Sequence, residues 1–258
     1  MTTVMTRPPV PLRSMTPRMD GGPGPRGRIG LLALSSDHVG EHDFERLFPA
    51  EKLAVFTARL ANADTVTLAS LAAMESELAK AARLILPASE IDVFAYSCTS
   101  GTVAIGAERV TEILEGVRPG VKVTTPITAA FAAFERLGAH RIAMLTPYID
   151  EINRVMVDHV VGHGVAVTDF IGFGLTTDRD IGRVTPEGVV EAACALDHGG
   201  ADAIFVSCTG LRAVDAIEAV EAATGRPVVT SNQAMAWHAM RLAGFAEPVA
   251  GFGRLLTL

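Results

Sequence analysis

One segment of this chain occurs twice. Residues from Asp92 onward read DVFAYSCTSGTVAIGAERVTEILEGVRPGVKVTT, and residues from Ala203 onward read AIFVSCTGLRAVDAIEAVEAATGRPVVTS. Each copy has an apolar run, then Ser-Cys-Thr, then Gly, then a helix-spaced stretch. Each then has Arg-Pro before a Val-rich run ending in Thr or Ser. A repeated strand–helix–strand unit builds two similar halves. Open parallel sheets bind ligands at the carboxyl ends of their strands. Cys98 and Cys208 occupy that position in the two copies. If the halves face each other about a pseudo-twofold axis, the two thiols meet across one pocket.

The rest of the chain fits the same scheme. Apolar runs at 28–34, 53–57, 92–96, 121–124, 141–145, 165–170, 203–206 and 228–230 read as buried strands. Between them, helical spacing is expected over 71–84, 103–114, 128–137, 152–163, 186–196, 213–223 and 234–242. The expected fold is α/β: two similar Rossmann-like halves with parallel sheets, related by a pseudo-twofold axis, with the active site between them. The first half is expected over 28–137 plus 233–258, and the second over 138–232. Residues 1–27, rich in Pro, Gly and Arg, read as a flexible tail.

Composition narrows the partners. The 22 basic residues are outnumbered by 29 acidic ones, a net charge of −7, which argues against nucleic acid. No apolar run is long enough to span a bilayer, and the N-terminus lacks the apolar core of a signal peptide. Three cysteines without paired spacing do not suggest a disulfide framework. These features lead us to expect a cytoplasmic enzyme, homo-oligomeric by default. Its partner would be a small-molecule carboxylate, with neither membrane nor nucleic acid involved. Cys194, in Ala-Ala-Cys-Ala-Leu, reads as a core residue.

The residues around the two thiols suggest chemistry. Thr99 and Ser100 after Cys98, and Thr209 and Gly210 after Cys208, offer hydroxyls and backbone N–H groups that suit a carboxylate. A helix N-terminus would lower the thiol pKa. A thiolate on one face of a substrate and a thiol on the other can move a proton across a carbon centre. They can equally add to a double bond and deliver a proton. Neither route calls for a cofactor or a metal.

Four motifs carry a resemblance: Ser97-Cys98-Thr99-Ser100-Gly101, Thr146-Pro147-Tyr148-Ile149-Asp150, Ser207-Cys208-Thr209-Gly210 and Gly251-Phe252-Gly253-Arg254-Leu255. On these, residues from about 28 to 255 resemble the Asp/Glu racemase superfamily, in the branch of maleate cis-trans isomerases and arylmalonate decarboxylases. The resemblance implies an active site between two halves and no metal or organic cofactor. Arylmalonate decarboxylases keep only the second cysteine, so a chain with both resembles the isomerase or racemase kind. Carried over, Cys98 is the nucleophile or first acid/base, Cys208 its partner, and Tyr148 a carboxylate ligand.

The chain departs from that pattern at one end of the site. Where maleate isomerases read Pro-Ser-Ser-Asn, this chain has Leu34-Ser35-Ser36-Asp37, and a second family Asn falls near Asp178. Asn donates to a carboxylate, whereas an ionised Asp repels one. Ser35, Ser36, Asp37 and Asp178 therefore suit a zwitterion, with a carboxylate at one end and a cationic group at the other. Asp37 could instead cap a helix. Ser35-Ser36-Asp37-His38 is also similar to the entry segment of ectoine-utilisation members, whose substrates carry an amidinium. Maleate isomerisation and a non-catalytic carboxylate-binding role stand as alternatives. His38/His42 and His159/His163 have helical metal-ligand spacing but no third ligand pattern. Arg59 reads equally as a pocket-rim cation or a surface residue.

Overall fold

The computed structural model describes residues 13–258. The first half runs β1 (Arg28–Leu34), α1 (Gly40–Leu47), β2 (Ala54–Leu60), α2 (Leu68–Ala73), α3 (Glu75–Leu84), β3 (Val93–Tyr96), α4 (Thr99–Ile105), α5 (Ala107–Val117), β4 (Lys122–Thr124) and α6 (Pro126–Leu137). The second runs β5 (Arg141–Tyr148), α7 (Asp150–Gly162), β6 (Ala166–Leu175), α8 (Asp178–Ile181), α9 (Pro186–Ala195), β7 (Ala203–Val206), α10 (Ile217–Thr224), β8 (Val228–Thr230) and α11 (Ser231–Leu242). Each half holds one four-stranded parallel sheet. The orders, β2-β1-β3-β4 and β6-β5-β7-β8, are the same, so the sequence repeat is a repeat of topology. All residues of β3 and β7 are buried, as expected where helices cover both faces of a parallel sheet.

The halves exchange the helices that follow their last strands. α11 leaves β8 yet packs on β3 and β4, and α6 leaves β4 yet touches β8; the two helices also pack along each other. Both start in the same way. Thr125 and Thr230 form capping boxes with Thr128 and Gln233, and Pro126 supplies a fixed φ at the first turn of α6. That cap sets the start of α6 at Pro126, two residues before the expected Thr128.

Other boundaries differ for local reasons. The helix expected over 103–114 begins at Thr99, directly after Cys98. It is broken at Gly106, whose φ of +98° suits glycine alone. The helix expected over 71–84 is two helices meeting at Met74. β5 and β6 run past their expected ends because their pairing continues through a shift at Thr146/Tyr148, where Pro147 has no N–H to offer the ladder.

Residues 1–12 of the expected tail lie outside the described residues. Residues 13–20 are exposed and without regular structure. Closer to β1 the chain is fixed: the Arg28 guanidinium bonds the carbonyls of Gly21 and Pro23, and Arg26 reaches Glu247. Among the described residues no helix is long and apolar enough to cross a membrane.

Phe134 of α6 and Phe205 of β7 pack edge-to-face between the halves, their ring centroids 5.4 Å apart. Both are buried. Replacing Phe134 by Ala would remove the pair and leave a cavity, and is expected to cost about 3–5 kcal/mol. Urea unfolding of Phe134→Ala against wild type measures it. A loss under about 1 kcal/mol would mean this junction is not part of the common core.

Candidate active site

β3 and β7 each deliver a cysteine two residues beyond their last residue. Cys98 is the N-cap of α4, and its Sγ accepts the Gly101 N–H at 3.2 Å. The Thr102 hydroxyl closes the turn on the Cys98 carbonyl at 2.6 Å. In the second copy the Gly210 N–H donates to Cys208 Sγ at 3.3 Å. No α-helix follows directly there; a short 3-10 turn, Val214–Ala216, precedes α10. Both thiols are almost fully buried, and both line one pocket.

Burial overrides the helix N-terminus. The thiol pKa, expected to fall, is pushed up to about 12 at both cysteines, first by desolvation. The Gly101 and Gly210 amides pull the other way but do not win. The Asp178 carboxylate raises both thiols further. At neutral pH the pair is therefore thiol and thiol.

Each thiol has a tyrosine beside it, and the chain has only two tyrosines. Tyr148, at the end of β5, lies in the pocket beside Cys208 and Ser100, and its hydroxyl favours the Cys208 thiolate. Tyr96, the last residue of β3, is buried and also favours the Cys98 thiolate, while its hydroxyl donates to Met74 Sδ at 3.8 Å.

The opposite wall is acidic. The Asp178 carboxylate accepts from the Ser36 hydroxyl and, at 3.0 Å, from Asn62 Nδ2. Asn62 Oδ1 accepts from the Ser35 hydroxyl at 2.8 Å and the Ser36 N–H at 3.2 Å. Desolvation raises the Asp178 pKa. Asp37 lines the pocket and also holds the chain entering α1, whose N-cap is Val39: its Oδ1 accepts the N–H groups of Val39 and Gly40 at 2.8 and 2.9 Å. Arg59 does not face the pocket. It donates to the Asp37 carbonyl at 2.9 Å and pairs with Glu41 at 3.0 Å, which holds the loop after β1. Segments from the two halves meet over this wall. Thr65 bridges Thr177, the Val66 N–H reaches Thr176 O, and the Asp178 N–H reaches Asp64 O, the last two at 2.9 Å.

Of the residues selected from sequence, Ser36, Asp37, Cys98, Ser100, Tyr148, Asp178, Cys208, Thr209 and Gly210 line this pocket. Ser35 and Thr99 do not. Ser35 is exposed: it and Ser36 form a turn closed by the Asp37 N–H on the Leu34 carbonyl at 3.1 Å, and only Ser36 turns its side chain to the pocket. The Thr99 hydroxyl turns inward to Ser231 Oγ, at 2.9 Å. Asn62 was missed; its signal is its place just beyond the carboxyl end of β2. Cys194 is half-buried on α9 rather than in the core. His163 stacks on Phe131 of α6, and the His159 ring lies tilted beside the same Phe131. Among the described residues no group of three or more His, Cys, Asp or Glu is placed to hold a metal ion.

The model of the family described as arylmalonate decarboxylase matches residues 46–256. The chain belongs to that family. It is 34% identical over 139 residues to the arylmalonate decarboxylase of Bordetella bronchiseptica, a match covering 53% of this chain and 58% of that protein. It is 26% identical to the maleate isomerase of Pseudomonas putida over 89% of this chain and 97% of that protein. The structure of the Nocardia farcinica maleate cis-trans isomerase bound to TRIS superposes with a TM-score of 0.82, at 25% identity, covering 90% of this chain and 98% of that one. These relatives place the protein among the cofactor-independent isomerases and decarboxylases of the Asp/Glu racemase superfamily.

Two outcomes follow for the thiols. Their alkylation by iodoacetamide should rise about tenfold per pH unit from pH 7 to pH 10 without levelling, because each thiol titrates above that range. Asp178→Asn removes a negative charge that both thiols feel, so both should alkylate faster at a fixed pH near 8. Mass spectrometry of the two peptides reads each rate. An unchanged pair in Asp178→Asn would mean the carboxyl is already neutral there.

Proposed function

We propose that this protein is a cofactor-independent isomerase or racemase acting on a small, amino-acid-like carboxylate through Cys98 and Cys208. The observation that carries the reading is the pocket itself: two thiols from equivalent turns line one cavity whose far wall carries Asp37 and Asp178. The Ser100 and Tyr148 hydroxyls, with Thr209 and Gly210, would hold the substrate carboxylate between the thiols. One sulfur, as thiolate, takes a proton from the carbon. The other thiol delivers its proton to the opposite face, so one C–H bond breaks as another forms and the two sulfurs exchange roles.

The high thiol pKa makes the substrate part of the activation. Asp178 opposes thiolate formation at both cysteines. A cationic group seated against Asp178 would cancel that part of the opposition and offset the charge of the incoming carboxylate, while desolvation, the larger cause, stays in place. This favours a zwitterion over a plain dicarboxylate, whose second carboxylate would meet two acids. Zwitterions of ectoine or hydroxyectoine breakdown fit, in line with the resemblance of Ser35-Ser36-Asp37-His38. Maleate isomerisation is the second reading, favoured by similarity to the Pseudomonas putida maleate isomerase along nearly its whole length.

Proton NMR in deuterium oxide tests both. The panel is maleate, aspartate, glutamate, 2,4-diaminobutyrate derivatives, ectoine and hydroxyectoine, with wild type, Cys98→Ala and Cys208→Ala. Exchange or isomerisation of a zwitterion is expected, falling by at least about a thousandfold in each single variant. Turnover of maleate alone would replace the zwitterion reading. Binding of one compound without turnover by folded wild type would make this a binding protein.

A further inference from the structure

Asp43 takes no part in the reaction above, yet it is 2% exposed on the inner face of α1. Its Oδ2 accepts from Asn232 Nδ2 at 2.7 Å. The same Nδ2 donates to the Thr209 carbonyl at 2.9 Å. Thr209 sits between Cys208 and Gly210, the residue whose N–H holds Cys208 Sγ. Beside Asn232, Ser231 Oγ accepts the Cys208 N–H at 3.0 Å. The first turn of α11 thus grips the Cys208 loop at two points, and Asp43 stands behind one of them. Asn232 Oδ1 is buried and has no hydrogen-bond partner among the described residues. The amide is held in its orientation by its donors alone, one of them aimed at a carboxylate.

We propose that Asp43 is a positioning residue for Cys208, acting through the Asn232 amide and the Thr209 carbonyl. Ionised, Asp43 is acceptor-only and keeps Nδ2 turned toward itself and Thr209. Protonated, it presents an O–H, for which the unpartnered Oδ1 of Asn232 is the better partner. Turning the amide to meet it withdraws the donor from Thr209 and loosens the Cys208 turn. The charged groups facing Asp43 are Arg46 on its own helix, with Nη1 3.8 Å from Oδ1, Asp37 from the preceding loop, and Asp215 from the turn before α10. Asp215 itself engages Arg46 at 2.5 Å. Burial dominates over these neighbours and pushes the Asp43 carboxyl up to about 7. The Cys208 turn is therefore gripped above that pH and relaxed below it.

The catalytic meaning rests on the two-cysteine reading, so the test reads Cys208 without turnover. Iodoacetamide alkylation of Cys208 and Cys98 is followed in the same molecule by mass spectrometry, from about pH 5.5 to about pH 9. Asp178 acts on both thiols, so the ratio of the two rates largely removes its influence. In wild type the ratio is expected to step by about threefold near pH 7, the size of one hydrogen bond. In Asp43→Asn and in Asn232→Ala the step should vanish. A flat wild-type ratio overturns the proposal without any variant, and so does a step that survives in either substitution. A step present in a protein that turns over none of the NMR panel would leave the coupling standing while the isomerase reading fails.

Discussion

The two cysteine turns are tied to each other, and the site depends on that tie. The Thr209 hydroxyl donates to the Ser97 carbonyl at 3.2 Å, and the Thr99 hydroxyl meets Ser231 Oγ at 2.9 Å. Both bonds run between segments more than a hundred residues apart, and the groups that make them are buried. An unmade bond there would strand polar groups away from water, at about 1–3 kcal/mol each. The ends of β3 and β7 are thereby held together, and two separate sheets share one pocket. The exchanged helices α6 and α11 enforce the same arrangement from behind, since each packs against the sheet of the other half.

Enclosure has an electrostatic consequence. The packing that brings the thiols together also strips them of water, and the acidic wall adds a field of the same sign. Both effects hold the protons on sulfur. Under the proposed reading recognition and reactivity are coupled: a cationic group at the acidic wall would relieve that part of the opposition to a thiolate. Asp43, buried behind Asn232, belongs to the same economy of desolvated carboxyls.

Much of this was legible in the residues. The Ser-Cys-Thr repeat specified two like halves, because a strand–turn–helix unit needs the same residue types at the same places whichever half it builds. The apolar runs of β1, β3 and β7 read as strands because parallel strands buried on both faces admit little else. Cys98 and Cys208 stood out because they end such strands. Element ends were less legible. α4 starts at Thr99 and stops at Gly106 through a cap and a positive φ, which apolar periodicity does not register. Ser35 and Ser36 look alike in sequence, yet one faces solvent and the other Asp178.

The sequence by itself determined the α/β class, the internal duplication, the two thiols and the acidic residues beside them. These follow from short-range patterns of polarity and residue type. Only the tertiary structure decided that Asn62 joins Asp178, that Thr99 braces Ser231 instead of a ligand, and that both thiols are hard to ionise. Those properties depend on which segments meet and how much water their meeting excludes. That is a sum over contacts between distant residues, which no local pattern contains.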